Sequence, residues 1–336
     1  MEILLLMLKF LGGLLMIVKG ADWLTDGASC IARRYNISSL VIGLTIVAFG
    51  TSAPELVVSC LSAYSGSDGI AIGNVIGSNM FNTFAIIGIT AMLKPIPVTK
   101  SNVWKDIPLC ILASVVLFIM TNDQMLDGEE KGRVVGRGDG LVLLCFFIIF
   151  MAYSFSIAHQ PSTVGPLSQP SKPEDSRPLM SMGKSVLLFL AGLAVLVVGG
   201  EVFVDGASGI ASKMGVSDAV IATTIVAAGT SFPELFASIA AARKGDTAMA
   251  VGNVVGSNIF NVFFILGASS VISPLQATSV SLMDYIFFLL SAVLLFIFGL
   301  IGKARLTISR GEGFVMLMCM VGYYVYAVLN VLGKQI

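Results

Sequence analysis

Two short stretches hold the residues best suited to chemistry. Gly50-Thr51-Ser52-Ala53-Pro54-Glu55 and Gly229-Thr230-Ser231-Phe232-Pro233-Glu234 each place a glutamate directly after a proline, inside an otherwise apolar run. Each is followed by Gly-Asn-x-x-Gly-Ser-Asn-x-x-Asn, which supplies Asn74, Ser78 and Asn82 in one case and Asn253, Ser257 and Asn261 in the other. Carboxylate, hydroxyl and amide groups all offer oxygen. Such a set suits hard cations such as Ca²⁺ and Na⁺, and poorly suits transition metals that favour imidazole or thiolate. Two carboxylates carry the charge that balances one Ca²⁺.

Proline supplies the backbone part of the site. Pro54 has no N–H to give the Gly50 carbonyl, and Pro233 has none for Gly229, so a helix through either motif must break there. Broken helices are tolerated at membrane depth where the freed carbonyls line a polar cavity. In the segments that follow, Asn74, Ser78 and Asn82 recur every four residues and share one helix face, as do Asn253, Ser257 and Asn261. Asn74 and Asn253 are expected to line the cavity. Asn79 and Asn258 lie about 100° around the helix from that face and are expected to hold helices together. Gly69, Gly73 and Gly77, with Gly252 and Gly256, have the small-residue spacing that lets helix backbones approach closely.

The elements that carry these motifs belong in a bilayer. A chain of 336 residues that is 56% hydrophobic and 12% charged cannot cover itself with a polar surface. Apolar runs near 3–22, 39–64, 70–93, 106–121, 140–158, 184–204, 218–242, 248–272, 283–302 and 312–332 read as ten spans. The class expected is therefore an all-α polytopic membrane protein with ten transmembrane helices, the second and seventh broken. The first run starts after Glu2, without a basic cluster or cleavage site, and reads as a retained span instead of a signal peptide. A carboxylate near the bilayer centre costs about 2.5–3.5 kcal/mol. Glu55 and Glu234 lie mid-span with no Lys or Arg inside their motifs, so a cation is the expected partner.

Sliding the chain over itself by 179 positions aligns residues 41–90 with 220–269, and 27 of those 50 positions are identical. The units expected are a first five-helix repeat at 1–159, a flexible cytoplasmic loop at 160–183 and a second repeat at 184–336. The loop carries Pro161, Pro166, Pro170, Pro173 and Pro178 among serines and charges. Five spans is an odd number, so the second repeat enters the membrane inverted, and a pseudo-two-fold axis in the membrane plane can bring Glu55 and Glu234 together. Lys and Arg in the connecting loops favour both termini outside.

The remaining features point to less. Zero net charge and the lack of a basic tract argue against nucleic acid. Five cysteines without a CxxC pair suggest neither a disulfide framework nor a zinc site. Asp22, Asp26, Glu201 and Asp205 read as solvated or capping acids at span ends, His159 as incidental, and the run from Asp127 through Arg137 as a solvated outer loop. An intramembrane hydrolase would need an activated nucleophile, and no buried histidine accompanies the serines. No enzyme, cofactor or obligate protein partner is expected.

The duplicated motif pair resembles the signatures of the calcium/cation antiporter superfamily, most closely the sodium/calcium exchanger type in its bacterial inner-membrane YrbG-like branch. The resemblance implies that Glu55 and Glu234 bind Ca²⁺ with the carbonyls of Thr51 and Thr230. It further implies one Na⁺ site flanked by Ala48, Thr51 and Ser257 and a symmetric one flanked by Ala227, Thr230 and Ser78, both using the same glutamates, with Asn82 and Asn261 lining the middle. Potassium-dependent relatives carry aspartate where this chain has Asn261, which implies K⁺ independence. H⁺ is the alternative counter-ion, since a buried glutamate can itself take up a proton.

Overall fold

The computed structural model describes residues 2–66, 68–122, 133–158, 180–216, 221, 225–278, 280–301 and 306–333. His159, most of the central loop and residues 127–132 of the expected outer loop lie outside these residues.

The chain is helical almost throughout. In order, the helices are α1 (Glu2–Arg34), α2 (Ser39–Thr51), α3 (Ala53–Tyr64), α4 (Gly69–Leu93), α5 (Asn102–Thr121), α6 (Arg137–Ile157), α7 (Met182–Lys213), α8 (Ala227–Gly229), α9 (Phe232–Arg243), α10 (Thr247–Ile272), α11 (Leu282–Ile301) and α12 (Arg310–Gly333). Eight of them are long and apolar enough to span a bilayer, and α2 with α3, bent by 47° at their break, makes a ninth when the pair is counted as one span. Where an unbroken seventh span would begin, residues 217–220 and 222–224 are outside the description, so the described residues do not add up to ten spans.

Both breaks fall where proline requires them. Ser52 leaves helical geometry at φ −82°, ψ 9°, and Pro54 sits in the first turn of α3. Ser231 does the same at φ −90°, ψ 6°, ahead of Pro233 in α9. Each half-helix then ends on a glycine in the left-handed region, Gly66 at φ 73° and Gly245 at φ 90°, a conformation that costs glycine little.

Helices α4 and α10 form the centre, with 83% and 78% of their apolar windows buried, against 17% for α1 and for α12. The outer helices turn Leu4, Leu8, Leu11 and Leu15 of α1 and Ile148 and Ile149 of α6 outward. Such a surface suits acyl chains and not water.

Two outer helices run further than their apolar stretches. Helices α1 and α7 have 33 and 32 residues, roughly 50 Å each at 1.5 Å per residue, well beyond about 30 Å of hydrocarbon. Asp22, Asp26, Glu201 and Asp205 therefore lie within helices that continue past the expected spans. The extension is stabilised by packing that continues past the apolar run, since Ile17, Ala21, Leu24, Ala28 and Ala32 stay buried along one face.

The α1–α7 contact is set by glycine. Gly13, Gly20 and Gly27 recur every seven residues on α1, and their repeat counterparts Gly192, Gly199 and Gly206 do so on α7. A Cβ added at Gly20 would lie 2.5 Å from the Leu196 nitrogen. Gly13 faces Phe203 while Gly27 faces Phe189, so the register falls on one helix as it rises on the other. These equivalent helices are antiparallel, and the two copies are inverted relative to each other. By the same reading α2 and α10 run parallel, with Gly43 against Met249 and Gly256 against Leu44 and Ala48.

The all-α expectation needs one small amendment. Ile96–Pro97 (β1) pairs antiparallel with Thr307–Ile308 (β4), and Val134–Val135 (β2) pairs antiparallel with Leu275–Gln276 (β3). Each ribbon joins a loop of one repeat to a loop of the other.

Candidate ion-binding site

The two broken helices meet through their serines. Ser52 Oγ donates to Glu234 Oε1 at 2.8 Å, and Ser231 Oγ donates to Glu55 Oε1 at 3.1 Å. Each break thus holds the carboxylate of the other repeat. Ser78 and Ser257 approach the same oxygens from their own repeats, with Oγ 3.5 Å from Glu55 Oε1 and from Glu234 Oε1 respectively. Both glutamates are 1% exposed.

Helices α4 and α10 brace the breaks. Asn74 Nδ2 donates to Ser59 Oγ at 3.1 Å and to the Glu55 carbonyl at 3.5 Å, while Asn253 Nδ2 donates to Ser238 Oγ at 3.0 Å and to the Glu234 carbonyl at 3.3 Å. Thr51 Oγ1 lies 3.2 Å from Asn253 Oδ1, and Thr230 Oγ1 lies 3.5 Å from Asn74 Oδ1. Asn74 and Asn253 therefore have both ends of their amides engaged by protein. They act as braces tying each glutamate's backbone to the opposite threonine.

Other oxygens are left bare. Glu55 Oε2, Glu234 Oε2, Asn82 Oδ1 and Asn261 Oδ1 are buried, and none accepts a hydrogen bond from the described residues. Asn82 and Asn261 sit in wide π-helical turns, Phe81–Ile87 and Phe260–Leu266, a geometry frequent at functional sites. The first turn packs against α9, which carries Glu234, and the second against α3, which carries Glu55. A buried acceptor without a donor costs about 1–3 kcal/mol, more if charged. A cation among these oxygens would remove that penalty.

The remaining residues named from the sequence surround this centre. Ala48 is fully buried one turn before the first break, against Gly256. Ala227 opens α8, and its side chain lies outside the described set. Gly50 faces Leu193 and Gly229 faces Val204, so both glycines before the breaks press on α7. Asn79 and Asn258 join α4 to α10, Asn79 Nδ2 donating to the Asn258 carbonyl at 3.0 Å.

Sequence reasoning missed several partners. Ser52 and Ser231 were legible as oxygen donors but not as ties between repeats, and Ser59 and Ser238 carried no motif signal beyond their shared repeat position. Asp106 stands in no motif, yet it is fully buried and accepts hydrogen bonds from Asn102 Nδ2 and Tyr153 Oη, both at 3.2 Å. Asp22 and Asp26 are not simply solvated: Lys244 Nζ lies 3.5 Å from Asp22 Oδ1 and 2.9 Å from Asp26 Oδ1.

Inverted copies whose broken helices meet over a pair of buried carboxylates define an inverted-repeat membrane transporter. The chain belongs to the sodium/calcium exchanger protein family, whose model matches residues 5–156 and 184–329. It is 40% identical over 313 residues to the putative antiporter CaxA of Alkalimonas amylolytica, covering 93% of this chain and 95% of that one. It is 34% identical over 338 residues to the sodium/calcium exchanger MaX1 of Methanosarcina acetivorans, again covering 93% and 95%. Among solved structures it resembles the sodium-calcium exchanger NCX_Mj soaked with Na⁺ and Sr²⁺, with a TM-score of 0.77, 34% identity and coverage of 97% of this chain and 98% of that one.

Proposed function

We propose that this protein exchanges Na⁺ for Ca²⁺ by alternating access, with Glu55 and Glu234 as the shared ligands. The observation that carries the reading is the set of four bare, buried oxygens on Glu55, Glu234, Asn82 and Asn261. Two carboxylates neutralise one Ca²⁺. The Ca²⁺ ligands are completed by the carbonyls of Thr51 and Thr230, next to the two breaks.

Na⁺ competes for the same carboxylates. One Na⁺ site uses Ala48, Thr51 and Ser257 with a glutamate, and its counterpart uses Ala227, Thr230 and Ser78. Amides at Asn82 and Asn261 leave the centre without further charge, which favours exchange independent of K⁺. Gly50, Pro54, Gly229 and Pro233 keep the helices open at the site. The ions are the cargo, and exchange needs neither a cofactor nor a protein partner.

The two repeats at 1–159 and 184–336 move against each other around this centre, joined by a cytoplasmic loop at 160–183. Both termini face outward from a prokaryotic plasma membrane, as the bias of Lys and Arg towards the opposite loops favours.

Flux of ⁴⁵Ca²⁺ into proteoliposomes tests the coupling. An outward Na⁺ gradient is expected to drive uptake, and added K⁺ is expected to leave it unchanged. Uptake that follows a pH gradient and ignores Na⁺ would assign the counter-ion role to H⁺.

A further inference from the structure

Asn82 and Asn261 can serve a cation only if each presents its oxygen. The two ends of an amide have nearly the same shape, so sterics alone does not choose between them. A flipped amide would turn an NH₂ donor towards the ion.

We infer that Asn79 is a positioning residue that fixes this choice for Asn261, locking it with oxygen towards the ion. Asn79 Nδ2 donates to the Asn258 main-chain carbonyl at 3.0 Å. A carbonyl can only accept, so the Asn79 amide cannot be reversed without losing that bond. Its Oδ1 must therefore point the other way, where it accepts from Asn261 Nδ2 at 2.8 Å. Asn261 has then committed its NH₂, and its Oδ1 is left bare and buried.

The second chain ends on a hydroxyl, which can donate as well as accept and so does not by itself fix an amide. Asn258 Nδ2 donates to Thr83 Oγ1 at 2.8 Å, and Asn258 Oδ1 accepts from Asn82 Nδ2 at 3.2 Å. Asn82 Oδ1 is left bare in turn. The repeat counterpart of Thr83 is Val262, so the two chains are not duplicates, and it is the Asn79 chain that ends on a group able only to accept. All four asparagines and Thr83 are buried, at 4% exposure or less, and water does not compete for these bonds.

The inference rests on the reading that Asn82 and Asn261 face the ion, and one mutant cycle separates the two. The full-length protein in proteoliposomes is assayed for half-saturating Ca²⁺ and Na⁺ in Asn79→Leu, Asn261→Asp, the double variant and Asn261→Leu. Asn79→Leu frees Asn261 to flip and is expected to raise half-saturation about tenfold, the order of one lost ligand bond. Aspartate has oxygen at both ends, so in the Asn261→Asp background the same substitution is expected to cost less than about twofold. An equal penalty in both backgrounds would make Asn79 a merely structural residue, and no penalty in either would remove its role; each result overturns the inference. Unchanged half-saturation in Asn261→Leu would instead overturn the site reading itself. Should Asn79→Leu yield no folded protein, Asn79→Ala with and without Asn261→Asp runs the same cycle. A penalty cancelled by Asn261→Asp supports the inference, and one that persists overturns it.

Discussion

Ser52 donates a 2.8 Å hydrogen bond to Glu234 although 182 positions separate them in sequence, and the duplicated bond from Ser231 to Glu55 measures 3.1 Å. One inverted motif thereby supplies each carboxylate with a donor from the other copy. Neither half can assemble the arrangement alone.

Removing either serine hydroxyl tests that relationship. A hydrogen bond to a charged group contributes about 1.5–3 kcal/mol, so Ser52→Ala and Ser231→Ala should each weaken half-saturation by Ca²⁺ about tenfold or more. Because the bonds are duplicated, the two effects should be of similar size. A loss confined to one serine in ⁴⁵Ca²⁺ flux measurements would show that the copies are not equivalent.

The glycine contact between α1 and α7 predicts a sharp positional contrast. A Cβ at Gly20 would meet Leu196 backbone at 2.5 Å, whereas one at Gly12 meets nothing within 4 Å. Gly20→Ala should destabilise by about 1–3 kcal/mol through overpacking. Gly12→Ala should leave thermal unfolding in detergent unchanged or slightly improved. Equal unfolding temperatures for the two variants would contradict the register described.

Asp106 predicts a structural role for Tyr153. The tyrosine hydroxyl is one of two side-chain donors to this buried carboxylate, and it ties α6 to α5. Tyr153→Phe should cost about 1.5–3 kcal/mol and lower the unfolding midpoint. An unchanged midpoint would show that the bond contributes nothing to the fold.

Much of this was legible in the sequence because duplication and proline leave strong signals. The 179-residue offset relates Glu55 to Glu234, and Pro54 and Pro233 mark the breaks within two residues. The lengths of α1 and α7 were not legible. Their extra turns carry Asp26 and Asp205, just past Asp22 and Glu201 near the ends of the expected spans, on helices held by tertiary packing, which hydropathy does not register. Nor could sequence show that Asn74 spends its amide on Ser59 and the Glu55 carbonyl while Asn82 keeps an oxygen free. Residue type was the same in both cases, and only the neighbours differ. The paired ribbons are too short, at two residues a strand, to leave a periodic pattern.

The central claim is that Ca²⁺ and Na⁺ share one site that needs both glutamates. At about 4 Å and an effective dielectric constant near 20, one unit of ligand charge is worth roughly 4 kcal/mol per unit of cation charge, about three decades in Kd. Equilibrium binding of ⁴⁵Ca²⁺ to the purified protein, titrated with Na⁺, measures the claim directly on wild type, Glu55→Gln and Glu234→Gln. The account predicts one class of Ca²⁺ site, displaced competitively by Na⁺ and lost in either single variant. Ca²⁺ binding that survives in one of them, or that Na⁺ reduces in capacity without changing affinity, would contradict it.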